Sequence, residues 1–341
     1  MQSETPPILN IAAARGIHVA PRRKTVPETS EVVRPETRPE NDPAIWPRIT
    51  LVTPVYNGIR FIEDTIRSIV YQGYPNLEYI VVDGGSTDGT VDIIRKYQKH
   101  ISWWVSRKDR GVYDALNTGF AQATGEIMGW LNASDLLHTS GLFVVGSVFA
   151  SLPAVEWLTG RPTRFNPNGM TVDIRALPSW SRYRFLAGAN KYIQQESTFW
   201  RKSLWEKAGS ELNASYRDVG DFDLWVRFFR HARLYSVDAL IGGYRFHSDS
   251  ISATDMDRYN QRCDKIIESE LKSTPRAGAV KMFRRVSRAV KDIPKVRGLW
   301  KRVALNGLYN WAGPDWPPIV EDQENKWVIR EGMHRMRGLT R

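Results

Sequence analysis

The chain has 341 residues, 42% of them apolar and 25% charged, the balance of a soluble globular protein with room for one large domain and attachments. Its single cysteine, Cys263, excludes an intrachain disulfide framework and suits a reducing cytoplasm. No run reaches the roughly 18 apolar residues of a membrane-spanning helix, and the first residues do not read as a secretory signal. The net charge of +11 lies mostly beyond Lys272, so nucleic acid, an anionic membrane and phosphorylated substrates all enter as partners for a basic chain.

Residues 1–46 are rich in Pro, Glu, Thr and Arg without apolar periodicity, and read as a disordered leader. Order is expected from Trp46 and Pro47. Ile49 to Asn57 is a β-branched strand that breaks at Pro54, and Phe61 to Tyr71 carries a helical apolar stripe. Leu77 to Val82 is a second strand, running into Asp83 and a Gly-rich turn. Val91 to Tyr97 is helical, Ser102 to Ser106 a strand, Val112 to Thr124 a helix, and Glu126 to Trp130 a strand that ends in Asn132 and Asp135. Strands and helices alternating in this way predict an α/β fold, with a mostly parallel sheet and helices on both faces. Later, Val155 to Gly160 reads as strand and Arg164 to Ile174 as a hairpin around Asn-Pro-Asn-Gly. Thr198 to Ala208 and Phe222 to Ala232 read as helices, and Leu234 to Phe246 as strand with a Gly-Gly break. The division expected is residues 47–257 as the main domain and 258–341 as a helical, basic extension.

Ligands of open α/β sheets bind at the carboxyl edge of the strands, which makes the polar strand ends the candidates. Asp83 suits a nucleoside, accepting from a base imino group or a ribose hydroxyl; the same Asp-Gly is also an ordinary turn. Asn132 and Asp135 suit a diphosphate and its cation, since Mg²⁺ is held by one or two carboxylates plus phosphate oxygens. Ser134 or Asp135 equally suits the N-cap of a helix beginning near His138. Asp223 lies four residues before Arg227 and reads as half of an ion pair. Asp221 lies one turn before Trp225, where partial burial would fit it for proton abstraction; a first-turn acid that complements the helix dipole is the alternative. His247 ends a strand and is a candidate second metal ligand beside Asp135. No zinc spacing occurs.

Thr53-Pro54-Val55-Tyr56-Asn57, Val82-Asp83 to Thr90, Asp109 to Gly119, Gly125 to Asp135 and Asp221-Phe222-Asp223-Leu224-Trp225 stand in the order and spacing of the family 2 glycosyltransferases of the GT-A fold, which the chain resembles from about Ile49 to Ser252. The resemblance implies an inverting transferase that uses a nucleotide sugar. Asp83 would contact the nucleoside, with Thr53, Pro54 and Tyr56 beside it, and Asp109, Arg110 and Asn117 would border nucleotide and sugar. Asn132 and Asp135 would belong to the diphosphate segment, with Mg²⁺ or Mn²⁺ on Asp135 and His247. Asp221 would be the base. Gln195, Glu196 and Trp200 resemble a stretch before the base in bacterial members; polar groups there would meet acceptor hydroxyls and Trp200 would stack on a sugar, unless Trp200 and Trp205 are core. The sequence departs from the family where Ser134 replaces the usual second acid of the metal motif.

The expected function is transfer to a lipid-linked or polysaccharide acceptor in cell-surface glycan synthesis, with a catalytically silent scaffold as the rival. Charge alone suggests nucleic acid, and no motif supports it, so no nucleic-acid partner is expected. On a helix, Ala279 to Lys295 separates Met282, Phe283, Val286, Ala289, Val290 and Ile293 from Lys281, Arg284, Arg285, Arg288, Lys291 and Lys295. That pattern predicts docking on an anionic membrane at the inner face of the cell membrane, with Trp300, Trp311 and Trp316 at headgroup depth. Packing on the main domain, or a homodimer contact, is the other use of such a face.

Overall fold

The computed structural model describes residues 46–188, 192–247, 256–275, 277–289 and 316–330. The expected leader lies outside them except for Trp46, as do Trp300, Trp311 and the continuation of the basic helix beyond Ala289. The elements run β1 (Ile49–Val55), α1 (Ile62–Val70), β2 (Leu77–Asp83), α2 (Thr90–Tyr97), β3 (Trp103–Ser106), α3 (Val112–Phe120), β4 (Ile127–Trp130), β5 (Leu136–Leu137), α4 (Gly141–Ser151) and β6 (Trp157–Thr159). Then come β7 (Thr163–Phe165), β8 (Thr171–Ile174), α5 (Arg182–Leu186), β9 (Thr198–Arg201), α6 (Lys202–Lys207), α7 (Gly220–Phe228), β10 (Leu234–Ser236) and β11 (Gly242–Arg245). Last are α8 (Met256–Glu270), α9 (Ala277–Ala289), β12 (Ile319–Glu321) and β13 (Trp327–Ile329).

The main sheet has the order β10-β6-β9-β4-β1-β2-β3 and is parallel except for β9, which runs antiparallel to both β4 and β6. A second sheet, β5-β11-β7-β8, stands beside it. Alternate residues of the strands feed two cores, because successive side chains of a strand point to opposite faces. Val52, Ile80, Val82, Met128 and Trp130 meet Leu116 and Phe120 of α3 and Trp225 of α7 on one face. Ile49, Leu51, Tyr79, Val81 and Ile127 meet Ile66 and Ile69 of α1, Ile94 of α2 and Val145 of α4 on the other. Glu78 is the buried exception: it accepts from both hydroxyls of Thr50 and Thr124 and from the Thr124 and Gly125 amides, and so ties β1 and β2 to the approach to β4.

Four expectations change. Thr198 to Arg201 is strand, not helix: Thr198, Phe199 and Trp200 are buried in succession, with Phe199 in one core and Trp200 in the other, so the residues lack polar alternation because both faces are covered. Trp200 is therefore core and does not meet a sugar. No cap forms at Ser134 or Asp135; the helix that follows is α4, whose N-cap is Ser140 with φ +65°. Leu234 to Arg245 is two strands in two sheets.

The basic helix α9 also differs from its sequence pattern. Val280 is fully buried in the main core, and Arg284, expected on the solvated side, is buried with its guanidinium on Asp264 and on the Leu186 carbonyl. Met282, expected on the apolar side, is 66% exposed. The helix thus seats on the main domain along Val280 and Arg284, with Phe283 of the expected apolar stripe packed against the same core. Trp316 is half-buried, lies against Phe229 at 5.7 Å and donates its backbone N–H to the Trp180 carbonyl, so it packs on the main domain.

Trp200→Ala is expected to lower stability by about 3–5 kcal/mol, the cost of emptying a large aromatic site in a close-packed core. Urea denaturation of the purified variant measures it, and a loss under 1 kcal/mol would return Trp200 to the acceptor side.

Candidate active site

The parallel strands bring their carboxyl ends to one edge, where the loops after β1, β2 and β4 interlock. Asn57, with φ +48°, donates its amide N–H to the Ser86 hydroxyl at 2.7 Å, and its side-chain oxygen accepts from the Thr87 amide at 3.0 Å. The Gly58 and Ile59 amides donate to Thr90 and Asp88. Tyr56, at the head of this loop, is 68% exposed, while Thr53 and Pro54 lie buried within β1.

Asp83 ends β2, fully buried. Its carboxylate accepts from the Gly85 and Ser86 amides, from the Ser106 hydroxyl at 2.6 Å and from the Ser86 hydroxyl. In this state Asp83 organises the turn, and a nucleoside would have to exchange for one of the hydroxyls. Asp109 accepts from the Gly111 amide at 2.8 Å, and Arg110 pairs with Asp114 at 2.6 Å. Both sides of the Asn117 amide are spent on the Leu212 backbone at 2.8 Å, so Asn117 fastens α3 to the segment before α7 rather than offering itself to a nucleotide.

Beyond β4, the Asn132 amide donates to Asp135 at 3.3 Å and to Gln195 at 3.1 Å, and Gln195 in turn donates to the Trp130 carbonyl. Gln195 and Glu196, both buried, form a 3₁₀ turn (Gln195–Ser197) ahead of β9. Asp135 is 1% exposed and accepts the Arg245 backbone N–H on Oδ1 at 2.9 Å. Burial pushes the Asp135 carboxyl up, against hydrogen bonds from Arg245, Asn132 and Glu196 that favour its charge. Burial, and then the charge of Asp135, push Glu196 well above the carboxylate range. Burial and the neighbouring charge thus both disfavour an ionised Glu196 beside Asp135.

Asp221 lies in the first turn of α7. Gly220 before it has no side chain, and a Cβ there would sit 2.7 Å from the Tyr113 ring, so the ring lies flat on the turn. The Tyr113 hydroxyl donates to Asp221 Oδ1 at 3.4 Å and the Phe222 amide donates to the same oxygen at 2.8 Å. Burial raises the Asp221 carboxyl to about 6, against those hydrogen bonds. Glu196 feels the charge of Asp221, which puts the two acids in one electrostatic neighbourhood. Asp223 pairs with Arg227 at 3.0 Å, as the spacing predicts. Tyr113 falls inside the Asp109–Gly119 motif, which is the signal for it in the sequence.

The ligand set for Mg²⁺ or Mn²⁺ does not fit. Asp135 is buried, with both oxygens in hydrogen bonds, to the Arg245 and Asn132 N–H groups. Ser134 stands where a second acid would. His247 stacks against Phe61 at 4.7 Å. The fully buried guanidinium of Arg245 adds a fixed positive charge beside Asp135, and among the described residues no three acids, histidines or cysteines gather around one point.

Residues 50–143 match the family described as Glycosyl transferase family 2. An uncharacterized glycosyltransferase of Mycobacterium tuberculosis is 30% identical over 171 residues, 48% of this chain and 62% of that protein. The poly-beta-1,6-N-acetyl-D-glucosamine synthase of Staphylococcus epidermidis is 29% identical over 169 residues, 47% of this chain and 41% of that one. The chain thus spans less than two thirds of the length of these relatives. Among solved structures, S. aureus TarS 1-349 in complex with UDP-GlcNAc superposes with a TM-score of 0.58 at 16% identity, over 72% of this chain and 73% of that one, a likeness of fold.

The raised pKa of Asp221 has a consequence for stability. The folded chain holds this proton more tightly than the unfolded chain, whose carboxyl titrates near 4, so ionised Asp221 opposes folding. The cost is absent below about pH 4, grows up to about pH 6 and is full above it. Asp221→Asn is expected to raise stability at pH 7.5 by about 1–2 kcal/mol, less than the shift alone implies because the group is partly solvated. Denaturant unfolding at pH 7.5 and pH 4 checks it, and the gain must vanish at the lower pH.

Proposed function

Because the chain carries a family 2 glycosyltransferase domain on a GT-A fold, we propose that it is an inverting glycosyltransferase taking its sugar from a nucleotide-sugar donor. The acceptor is a hydroxyl of a lipid-linked or polysaccharide glycan. The observation that carries this reading is Asp221: a partly exposed carboxyl at the strand-end edge, raised toward neutrality by burial and held on Oδ1 by Tyr113 and Phe222. That leaves Oδ2 to take a proton. A hydroxyl is a weak nucleophile near neutral pH, and a positioned base with a pKa close to the working pH removes its proton as it attacks.

In this reading the nucleoside lies over the loops after β1 and β2, against Asp83 and the exposed ring of Tyr56, with Asp109 and Arg110 at the border toward the sugar. The diphosphate lies at the Asn132–Asp135 segment. The acceptor oxygen bonds to the anomeric carbon on the face opposite the diphosphate. As that bond forms, the carbon–oxygen bond to the diphosphate breaks, the hydroxyl proton passes to Asp221, and the configuration inverts. Gln195 and Glu196 hold the floor between the two half-sites, joining the Asn132 segment to β9.

Asp221→Asn is expected to cut transfer by about 10²–10⁴-fold while nucleoside diphosphate binding stays within a few-fold of wild type. The wild-type kcat/KM is expected to fall with acid along a limb near pH 6, absent from residual activity of the variant. Transfer from a panel of nucleotide sugars, read as released diphosphate, measures both; near-wild-type turnover in the variant removes Asp221 from the role of base, and nucleotide binding without turnover in any condition favours a silent scaffold.

The same reading places the enzyme peripherally at the inner face of a membrane, through the part of α9 that the main domain leaves exposed. Lys281, Met282 and Arg285 lie on that side. Each such cation near an acidic surface contributes roughly 1 kcal/mol, screened by salt. Co-sedimentation with vesicles containing phosphatidylglycerol is expected at low salt, and Lys281→Glu with Arg285→Glu is expected to abolish it; vesicles that leave the wild type in the supernatant overturn the placement.

A further inference from the structure

Arg245 ends β11 with its side chain fully buried. Its guanidinium lies 4.8 Å over the Phe61 ring and makes one ion pair, from Nη1 to Asp64 at 3.1 Å. Nε and Nη2 have no hydrogen-bond partner among the described residues. A buried donor without an acceptor costs free energy, more so on a charged group, and such a group in a native fold marks a site for a missing acceptor. Nε and Nη2 are the two donors on one edge of the guanidinium plane, the pair that receives two oxygens of a phosphate or carboxylate side by side.

The place of this edge gives the acceptor its chemistry. The backbone N–H of Arg245 holds Asp135, one residue from Ser134. The Thr65 hydroxyl bonds the carbonyls of both Ala133 and Asp135, which clamps that segment to the turn of α1 that carries Asp64. Arg245 thus borders the segment where this chain lacks the acid of the family pattern. Above Nη2 the β7–β8 turn closes with Gly169, at φ +77°. A Cβ there would lie 3.3 Å from Leu136 and 3.9 Å from Nη2, so the glycine keeps a side chain off that nitrogen. Asp64 is half exposed, so the ion pair runs from the interior to solvent and marks the way in. Exposed Arg60 stands over the same Phe61 ring at 4.7 Å, a second cation on the solvent side.

Resting on the donor site above, we propose that the Nε–Nη2 edge of Arg245 binds a pair of diphosphate oxygens of the donor and supplies the charge that the family resemblance assigns to a divalent cation. The Asp64 pairing at Nη1 stays in place, and the departing group is neutralised by an organic cation fixed in the fold. Loss of the acid at Ser134 and the presence of a spare buried cation are then one substitution of means: a metal needs added carboxylates, whereas a guanidinium beside the phosphates needs fewer.

Isothermal titration calorimetry of the full chain with UDP, GDP, CDP and dTDP, in excess EDTA and again with Mg²⁺ or Mn²⁺, tests this. One of the four is expected to bind with an affinity that changes less than about threefold on chelation. Arg245→Met is expected to weaken it roughly 10- to 100-fold in both buffers, the loss of a bidentate charged contact. Arg245→Lys, which keeps the charge and loses the fork, falls between. Because Arg245 is buried, a melting curve accompanies each variant, and Asp64→Asn provides a test that leaves Arg245 in place: removing the acid's charge is expected to tighten binding several-fold. Binding that appears only with metal and is indifferent to Arg245→Met and Asp64→Asn overturns the inference and leaves the donor site standing. Failure of all four diphosphates to bind in either buffer overturns the donor site itself.

Discussion

The position of Asp221 rests on the seat of α7 in a group of four indoles. Trp225, one turn beyond Asp221, stacks on Trp130 at 5.6 Å with planes 9° apart and on Trp157 at 5.5 Å, and meets Trp200 edge-on at 5.9 Å. Trp130 ends β4, Trp157 begins β6 and Trp200 lies in β9, so one side chain of the helix locks into three adjacent strands. The indole N–H groups of Trp157, Trp200 and Trp225 find no acceptor among the described residues, which leaves apolar burial and ring packing as the source of the seat. Rotation of α7 about its axis would have to break all three contacts together. The same strand, β4, runs directly into Asn132 and Asp135, so the proposed base and the proposed diphosphate segment are referred to one rigid frame. That is the condition for a base to meet a hydroxyl and for the leaving group to depart on the opposite side.

A second constraint is charge in a dry place. The charges of Asp135 and Asp221 both raise Glu196, and a sheet edge with three ionised acids would repel a diphosphate. The fold opposes this by burying Glu196, which disfavours its charge, by giving Asp135 the Arg245 amide, and by setting the guanidinium groups of Arg245 and Arg60 over Phe61. Positive charge thereby stands beside Asp135, on the side where the leaving group would lie. This placement follows from burial and hydrogen bonding, with no long-range field required.

The parallel sheet and its polar edge were legible because each strand from Ile49 to Trp130 ends in Asp, Asn or Gly and each following helix shows an apolar stripe. Asp221 and the Asp223–Arg227 pair were legible from the position of Trp225. The strand at Thr198 was not, because a strand covered on both faces has lost the alternation that identifies it, and Thr-Phe-Trp before a helical run reads as more helix. Glu196 was placed near the acceptor, but the rise of its carboxyl beside Asp135 depends on burial, which no spacing encodes. Asn117 was assigned to the nucleotide from a motif, whereas its amide is spent on Leu212, a contact 95 residues away in sequence.

Arg245 and α9 illustrate the same limit from the other side. Both are arginine-bearing stretches in a basic chain, and composition treats their cations alike. In α9, Arg284 turns inward because Asp264 and the Leu186 carbonyl satisfy it, and Met282 turns out because Val280 already occupies the core-facing stripe. In β11, Arg245 turns inward with Asp64 as its one ion-pair partner among the described residues. The distinction between the two is one of acceptors: a buried guanidinium with its edge filled is a structural pin, and one with its edge empty retains binding capacity. The fold stabilises the empty edge through the Phe61 ring, which offers a cation its electron-rich face without using any donor, so Nε and Nη2 stay available. An aromatic partner is the one form of compensation that leaves the hydrogen-bonding edge of an arginine intact for a ligand.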